Sequence, residues 1–438
     1  MTDLDPALDL FPLLASVLAA ITCAVLGNFL LLRRESLMGD AISHGVLPGL
    51  VIGFLITGDR SPITMLVGAA GAGIATVLLV MLVRGLGRVE SGAAMGVVFS
   101  ILFAFGVLLI ERAARQTDID ADCVLYGQLE TLAWYDAPTE WRGVPSWSTV
   151  ENIPRQVWGL LIACMLSIGF VVAFFKELRL SAFDPGMASV LGLRPRAVDL
   201  ATMILVAIAT VASFEAVGSI LVIAMLICPA ATARLLTDRL SRQVGWSVAV
   251  AIATSAVGYR AATVVPSWFA GESVNAAGSM AVTAGLFLVT AILLAPVHGV
   301  LSKGLRSRRL ARRVAIDDLL ATLLRTEEDR SRDAPPSSRP DRLRIPNPTT
   351  VDRARRAGLV EGEAIPNLRL TATGQRAARD VLRRHRLWET YLVKEAGLSP
   401  DHVHAPAEVL EHLGPTPPET SRTDPHGRVI PAPDDPEP

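Results

Sequence analysis

The feature that most constrains the fold of this 438-residue chain is a series of long apolar blocks that contain no Asp, Glu, Lys or Arg. Most of them are long enough to cross a hydrocarbon core of about 30 Å as a helix that rises about 1.5 Å per residue. With 51% hydrophobic residues, the sequence predicts an all-α polytopic membrane protein. The blocks run from Phe11 to Leu32, Ala41 to Gly58, Ser61 to Val83, Ser91 to Ile110, Gln156 to Phe175, Val244 to Tyr259 and Ser273 to Ser302.

A further apolar segment, from Leu200 to Ala233, is interrupted only by Glu215. Its length favours a tight hairpin of two helices over one span, which brings the expected number of transmembrane helices to about nine. Basic residues concentrate in alternate connections, such as Arg33 with Arg34 and the cluster from Lys303 to Arg313. This bias predicts an external N-terminus and a cytoplasmic C-terminus.

The composition changes abruptly after His298, where charged residues become frequent and proline-rich stretches appear. We therefore expect a transmembrane domain followed by a separate cytoplasmic region. The predicted divisions are residues 1–302 for the transmembrane domain, 303–343 for a basic juxtamembrane segment and linker, 344–431 for a small, mostly α-helical domain, and 432–438 for a disordered tail.

Asp40 and His44 stand at the head of an apolar block, in the stretch LMGDAISHGVLPG (37–49). A charged side chain at membrane depth costs at least ~2.5 kcal/mol, so it usually faces a pathway or a partner. At i and i+4 the two side chains share one helical face, where an oxygen and a nitrogen ligand suit Mn²⁺, Zn²⁺ or Fe²⁺. The alternative is that Asp40 caps a helix starting at Ala41 while His44 hydrogen-bonds a neighbouring helix.

A short amphipathic stretch, FDPGMASVLGL (183–193), lies between two apolar blocks. Asp184 and Pro185 are well placed to start a helix there. A surface helix without a core of its own needs a partner, and its few basic residues make lipid a weaker interpretation than protein. The apolar positions that follow helical spacing are Phe183, Met187, Val190 and Leu191.

The stretch LLRRESLMGDAISHGVLPGLVIG (31–53) resembles the signature of the ABC-3 family of metal-ion permeases, the membrane subunits of bacterial manganese, zinc and iron importers. The resemblance continues through DIDADCVLYGQLETL (118–132), LSAFDPGMASVLGL (180–193) and EAVGSILVIAMLICPAATARLL (215–236). It implies a type II ABC importer permease fold in which Asp40 and His44 line the translocation path.

The same resemblance implies partners for the chain in a bacterial cell membrane. They are an ABC ATPase subunit, a second permease subunit that is identical or different, and an extracytoplasmic metal-binding protein. No GxxxxGK[ST] phosphate loop occurs, so we expect a transport subunit and not an enzyme, with ATP hydrolysis in a separate chain. The residues implied to form the coupling helix that docks on the ATPase are Phe183, Asp184, Met187, Leu191 and Gly192.

Metal-ligand side chains concentrate between Leu368 and Gly414. His385 and Glu389 stand at i and i+4 of one predicted helix, and a second helix carries further carboxylates and imidazoles. Two such faces suit a divalent metal, and the alternative is an ordinary salt-bridged surface. The members of the second set are His404, Glu408, Glu411 and His412.

This tail resembles the iron- and manganese-dependent repressors of the DtxR-like family through HRLWE (385–389), VHAPAEVLEH (403–412) and DPHGRVIP (424–431). The resemblance implies that all six residues named above are ligands. RAGLVE (356–361) and LRLTATGQ (368–375) resemble the last helix and the wing of a degenerate winged helix, but a Pro/Ser/Arg stretch replaces the preceding helix. DNA binding is therefore not expected. A ligand from the repressors' first helix corresponds to Asp317 or Asp318, a choice that the sequence leaves open.

Together these observations predict the permease subunit of an ATP-driven importer for a divalent transition metal, with a metal-sensing tail that closes the transporter when metal is plentiful. Mn²⁺ is favoured because the ligands are oxygen-rich and lack Cys, and Zn²⁺ or Fe²⁺ is the alternative. A membrane-anchored, metal-dependent transcription regulator is the alternative of another class. It would need an uninterrupted basic recognition helix, which the sequence does not display.

Overall fold

The computed structural model describes residues 5–57, 62–113, 127, 129–132, 134, 152–268, 274–331, 347–362, 367–412 and 416–432. The chain divides into two compact units, Met1–Ser302 and Lys303–Pro438. Most of the predicted family stretch at 118–132 lies outside the described residues.

The first unit is built from helices, with one 3-10 turn at Leu129–Thr131 among its described residues. Eight of its helical stretches are long and apolar enough to cross a membrane. In chain order the helices are α1 (Pro6–Leu32), α2 (Met38–Gly45), α3 (Leu47–Thr57), α4 (Pro62–Gly87), α5 (Ser91–Ala113), α6 (Arg155–Ala173), α7 (Phe175–Phe183), α8 (Pro185–Val190), α9 (Pro195–Leu236), α10 (Leu240–Trp268) and α11 (Ala276–Leu294).

Helix α9 is a hairpin, because the chain reverses at Gly218, where φ is 76° and ψ is 166°. Before the reversal Ser213 contacts Cys23 of α1. After it, the Leu226 carbonyl oxygen lies 2.0 Å from the position that a Cβ atom of Gly27 would take. The two α1 positions are about 6 Å apart, whereas residues 213 and 226 would be about 20 Å apart along a straight helix.

The polar contacts between helices of the first unit fall into two groups, one at each end of the helices, as expected if successive segments run in alternating directions. Among the described residues eight helical stretches are long and apolar enough to span a membrane, and dividing one of them at Gly218 gives nine segments, which agrees with the expected number of about nine. At one end Asp9 accepts a hydrogen bond from Tyr259, and Glu215 pairs with Arg155. The ion pairs at the other end are Arg33 with Asp199, Glu35 with Arg84, and Asp238 with His298.

The second unit has its own hydrophobic core, formed by helices and a small antiparallel sheet. Leu319, Leu320 and Leu324 of its first helix pack with Val360 and Leu382 in this core. The elements are α12 (Val300–Ser331), α13 (Pro348–Arg356), β1 (Val360–Glu361), β2 (Arg369–Leu370), α14 (Ala372–Lys394), a 3-10 turn (Pro400–His402) and α15 (His404–Leu410).

The beginning of this unit differs from the sequence expectation. The segment expected to be a basic juxtamembrane stretch and linker, residues 303–343, is helical as far as Ser331, because apolar side chains at helical spacing in the second half of α12 pack into the core. Residues 332–343, which include the predicted Pro/Ser/Arg linker, lie outside the described residues. The stretch expected to lack a recognition helix forms α13, which Asn347 caps through a hydrogen bond from the Thr349 backbone N–H. Strands β1 and β2 pair antiparallel and form the predicted wing.

Candidate metal sites

Asp40 and His44 lie on one face of α2, with 3.4 Å between His44 Nε2 and Asp40 Oδ1. Both side chains are about one-third exposed, at 37% for Asp40 and 32% for His44. The helix starts at Met38 with Leu37 as its N-cap residue, so Asp40 is not a capping residue and that alternative is wrong. The pair therefore presents an oxygen and a nitrogen ligand on an accessible face.

Aromatic rings and a helix break surround this pair. The His44 ring lies 5.5 Å from the rings of both Phe99 and Phe103 of α5, and the Phe103 contact is edge-on. Pro48 lies in the first turn of α3 and has no N–H to donate to the His44 carbonyl. Broken helices of this kind place polar backbone groups along membrane pathways.

The predicted coupling segment forms a short capped helix with an apolar outer surface. The Asp184 carboxylate accepts a hydrogen bond from the Met187 backbone N–H at 2.8 Å, and Pro185 occupies the first helical turn, as the sequence predicts. Gly192 ends the segment with φ 80°, a conformation that favours glycine. The coupling patch consists of Phe183, Met187, Val190 and Leu191, all at least half exposed.

A cleft of about 800 Å³ adjoins the coupling patch at Phe183. Its lining combines apolar side chains with basic ones, among them Lys176, Arg179 and Arg239. An exposed apolar surface beside a basic cleft is typical of a protein interaction site.

In the second unit His385, Glu389 and His404 form the first ligand group, whose ligand atoms lie within 4.8 Å of one another. His385 Nε2 is 3.0 Å from Glu389 Oε1, and His404 Nδ1 contacts the same oxygen. His385 and Glu389 are buried on α14, whereas His404 at the start of α15 is exposed. The group is thus open to solvent on one side.

The charges in this group are strongly coupled. Burial lowers the pKa of His385, but its contacts with Glu389 and Glu411 outweigh burial, so the net pKa lies above the ordinary value. Burial alone would raise the pKa of Glu389, but nearby imidazoles, chiefly that of His385, bring it below its usual range. A metal ion would therefore displace a proton from His385 and meet an ionised carboxylate.

Asp318, Glu411 and His412 form the second ligand group. His412 Nε2 lies 3.1 Å from Asp318 Oδ1 and 3.3 Å from Glu411 Oε1, and its Nδ1 is 3.5 Å from Asp317 Oδ2. The two groups meet where His385 Nδ1 lies 2.5 Å from Glu411 Oε2. The structure thus brings both candidate aspartates of α12 beside His412, which lies just after α15. The sequence alone left the choice between them open.

For two residues, the position relative to the ligand groups differs from the sequence expectation. Glu408 is exposed on α15 and belongs to neither ligand group in this structure. His426, which we did not single out, stacks on His404 with ring centroids 4.7 Å apart. Its place in the quoted stretch DPHGRVIP was the available signal. Asp424 holds that turn by accepting hydrogen bonds from the backbone N–H groups of His426 and Arg428.

One buried polar atom supports the fit of the ligand groups to a metal ion. His412 Nδ1 has no hydrogen-bond partner among the described residues, and its nearest carboxylate oxygen, Asp317 Oδ2, is 3.5 Å away. Buried polar atoms without partners are rare, and coordination of a cation would satisfy this one. A donor set of carboxylates and imidazoles without Cys suits Mn²⁺, Fe²⁺ or Zn²⁺.

A unit with eight candidate membrane spans among its described residues, together with a second unit that has a wing and two candidate metal-ligand groups, defines a class of polytopic membrane protein with an added soluble domain. The chain belongs to the ABC 3 transport family, which matches residues 10–137 and 149–295. Residues 371–416 match the iron dependent repressor, metal binding and dimerisation domain. Both family resemblances predicted from the sequence are confirmed.

Curated relatives and one solved structure resemble the membrane unit. The manganese transport system membrane protein MntD of Bacillus subtilis is 36% identical over 66% of this chain and 93% of its own length. The zinc transport system membrane protein TroD of Treponema pallidum is 36% identical over 68% of this chain and 77% of its own length. PsaBC from Streptococcus pneumoniae, solved in complex with Fab, shares 26% identity and a TM-score of 0.52, covering 66% of this chain and 92% of that chain.

We predict that residues 303–438, which have their own core, bind Mn²⁺ with both ligand groups contributing. Replacing Glu411 and His412 together by Ala should weaken binding about 10–100-fold, because it removes buried ligands of the second group. Isothermal titration calorimetry measures the affinity. The exposed His402→Ala is the matched control and should leave it unchanged. Equal affinity of all three proteins would contradict the assignment.

Proposed function

We propose that this chain is the permease subunit of an ATP-driven importer for a divalent transition metal, with Asp40 and His44 as translocation ligands. The observation that carries the proposal is a carboxylate and an imidazole on one accessible face of α2, in a chain of the ABC 3 transport family. Such a pair at membrane depth is costly unless a cation or another partner balances it.

The proposal includes a direction for the membrane unit. An odd number of passes, such as the nine segments counted among the described residues, would leave the N-terminus and the end of α11 on opposite sides. Arg33, Arg84 and Lys176 lie at the same end as the coupling patch, and excess Lys and Arg favours the cytoplasm. We therefore place the patch and the C-terminal unit in the cytoplasm of a bacterial cell, and an extracytoplasmic metal-binding protein on the opposite face.

Mn²⁺ is the proposed cargo, and Zn²⁺ is the second candidate. Relatives named for manganese and for zinc are equally similar, at 36% identity, so similarity does not separate the two metals. The ligand groups of the tail decide our preference, because four carboxylates and three imidazoles without Cys suit a hard cation.

Substitution of the translocation ligands tests the proposal. Asp40→Ala or His44→Ala should lower Mn²⁺ uptake about tenfold or more, because each removes one ligand without changing the apolar surface of α2. Radioactive or fluorescent metal uptake by cells with the complete system measures the effect. His298→Ala, an exposed histidine of the same unit, is the control. Normal uptake by both site variants would refute the translocation role.

We also propose that a separate ATPase subunit docks on the coupling patch. The patch exposes four large apolar side chains, two in the six-residue helix α8 and one on each side of it, and such a surface needs a covering partner. The basic cleft beside it would accept acidic groups of that partner. The second permease subunit, a copy of this chain or a different one, would complete the pathway on the accessible face of α2.

A charge in the coupling patch should uncouple the transporter. Met187→Asp or Leu191→Asp should lower both ATPase co-purification and metal uptake about tenfold or more, since each would bury an unpaired charge in an apolar contact. Ser189→Asp puts the same charge on the exposed polar side of α8 and is the matched control. Unchanged co-purification with Met187→Asp and Leu191→Asp would reject the docking site.

The C-terminal unit is proposed to sense cytoplasmic metal and to slow transport when metal is plentiful. Metal bound by His385 and Glu389 of α14, with Glu411 and His412 after α15, would order this unit. A preference of the ordered unit for the closed transporter would shift transport by that difference in affinity. We favour regulation of transport over DNA binding as the response to metal. Helix α13 is short, and Arg355 near its end donates a hydrogen bond to the Gly362 carbonyl.

A further inference from the structure

The loop between α1 and α2 carries charged side chains that are more deeply buried than the proposed metal ligands. Glu35 is 4% exposed, and the Arg33 side chain is 8% exposed. Both residues lie a few positions before Asp40. Their contacts reach helices on either side of this loop.

Arg33 joins the end of α1 to both helices that flank the coupling patch. Its Nη2 lies 2.8 Å from Asp199 Oδ1 in the first turn of α9 and donates to Ser181 Oγ of α7 at 3.2 Å. Ser181 Oγ in turn donates to Asp199 Oδ1 at 2.7 Å. Because α7 continues through Asp184 into the patch, Ser181 and Asp199 connect Arg33 to the elements on both sides of the patch.

Glu35 joins the same loop to α4 and to the helix of the metal ligands. Its carboxylate pairs with Arg84 near the end of α4. Its carbonyl accepts a hydrogen bond from the Met38 backbone N–H at 2.9 Å, which fixes the first turn of α2, where Asp40 lies. The loop therefore contacts the coupling side and the metal side within a few residues.

The backbone of this loop is strained. Its hydrogen bonds, from Glu35 to the Leu30 carbonyl and from Arg34 to the Leu31 carbonyl, form the motif that usually ends a helix at glycine. Here Arg34 takes that position with φ 60°. A non-glycine residue in this conformation carries a steric cost, so the surrounding contacts, among them the ion pairs of Arg33 and Glu35, hold the loop in place.

Stability alone does not account for these ion pairs. Arg33 Nε and Nη1 and Glu35 Oε2 are buried without a hydrogen-bond partner among the described residues. A buried pair with incomplete hydrogen bonding is often no more stable than apolar residues of the same size. Its gain lies in fixing geometry, which points to a role in moving or positioning α2.

We propose that Arg33, Asp199, Ser181, Glu35 and Arg84 form a coupling relay that transmits movement of the coupling patch to Asp40 and His44. The inference rests on the proposed ATPase-driven transport. These five are positioning residues, since in the structure they touch neither metal ligand. The relay contains two ion pairs. Arg33 with Asp199 connects the loop to the patch, and Glu35 with Arg84 connects it to α4, so each pair can be tested separately.

Charge exchange in proteoliposomes that contain the whole transporter and its ATPase tests the relay. The quantity measured is Mn²⁺ transported per ATP hydrolysed. Arg33→Glu or Asp199→Arg alone should lower this ratio about tenfold, and the double exchange should restore it to within about threefold, the pattern of an interacting pair. For the second ion pair, Glu35→Arg or Arg84→Glu alone should lower the ratio in the same way, and the double exchange should restore it. The exposed Arg88→Glu, close to Arg84, is the control and should leave the ratio unchanged.

Unchanged ratios in the single variants, or double variants no better than the singles, would overturn the relay. If the charge variants do not reach the membrane, Ser181→Ala is decisive, because it removes two hydrogen bonds and leaves the ion pair; a ratio equal to wild type would overturn the proposal. Failure of the proposed function itself is distinguishable, because the wild-type transporter would then move no metal in the same proteoliposomes.

Discussion

The cost of a charge in the bilayer is the constraint on which the membrane unit depends, because lipid offers no hydrogen bond and no counter-ion. The carboxylates of Glu35 and Asp199 meet arginines at one end of the helices, and Glu215 meets Arg155 at the other. Asp40 differs, since its partner is an imidazole on its own helix and not an arginine of another helix. Under the proposed function, that arrangement leaves a carboxylate oxygen available to the transported cation.

Much of this unit is predictable because hydrophobic length and charge bias are local properties of the sequence. The apolar blocks predict the spans, and the length between Leu200 and Ala233 predicts a hairpin. The sequence does not identify the turn itself, since the reversal at Gly218 occurs within a mostly apolar segment and depends on a backbone conformation open to glycine. The ion pairs of Arg33 and Glu35 join residues far apart in the chain, so only tertiary structure reveals them.

In the C-terminal unit the spacing of His385 and Glu389 predicts one ligand face, because i and i+4 always share a side of a helix. The contribution of Asp317 and Asp318 is not predictable in the same way, since it requires α12 to pack beside the end of α15, where His412 lies. The sequence predicted a basic juxtamembrane segment and linker over residues 303–343, and that prediction did not include the apolar face of Leu319 and its neighbours. His426 was missed because stacking leaves no periodic signal.

The central claim is that one polypeptide both conducts a divalent metal and reports its cytoplasmic level through the tail. The most direct test compares Mn²⁺ uptake by wild type and by the Glu411→Ala, His412→Ala double variant, in cells preloaded with little or much metal. The account predicts equal uptake at low internal metal and faster uptake by the variant at high internal metal, because sensing can act only when the ligand groups are filled. Identical uptake by the two proteins at both levels would contradict it.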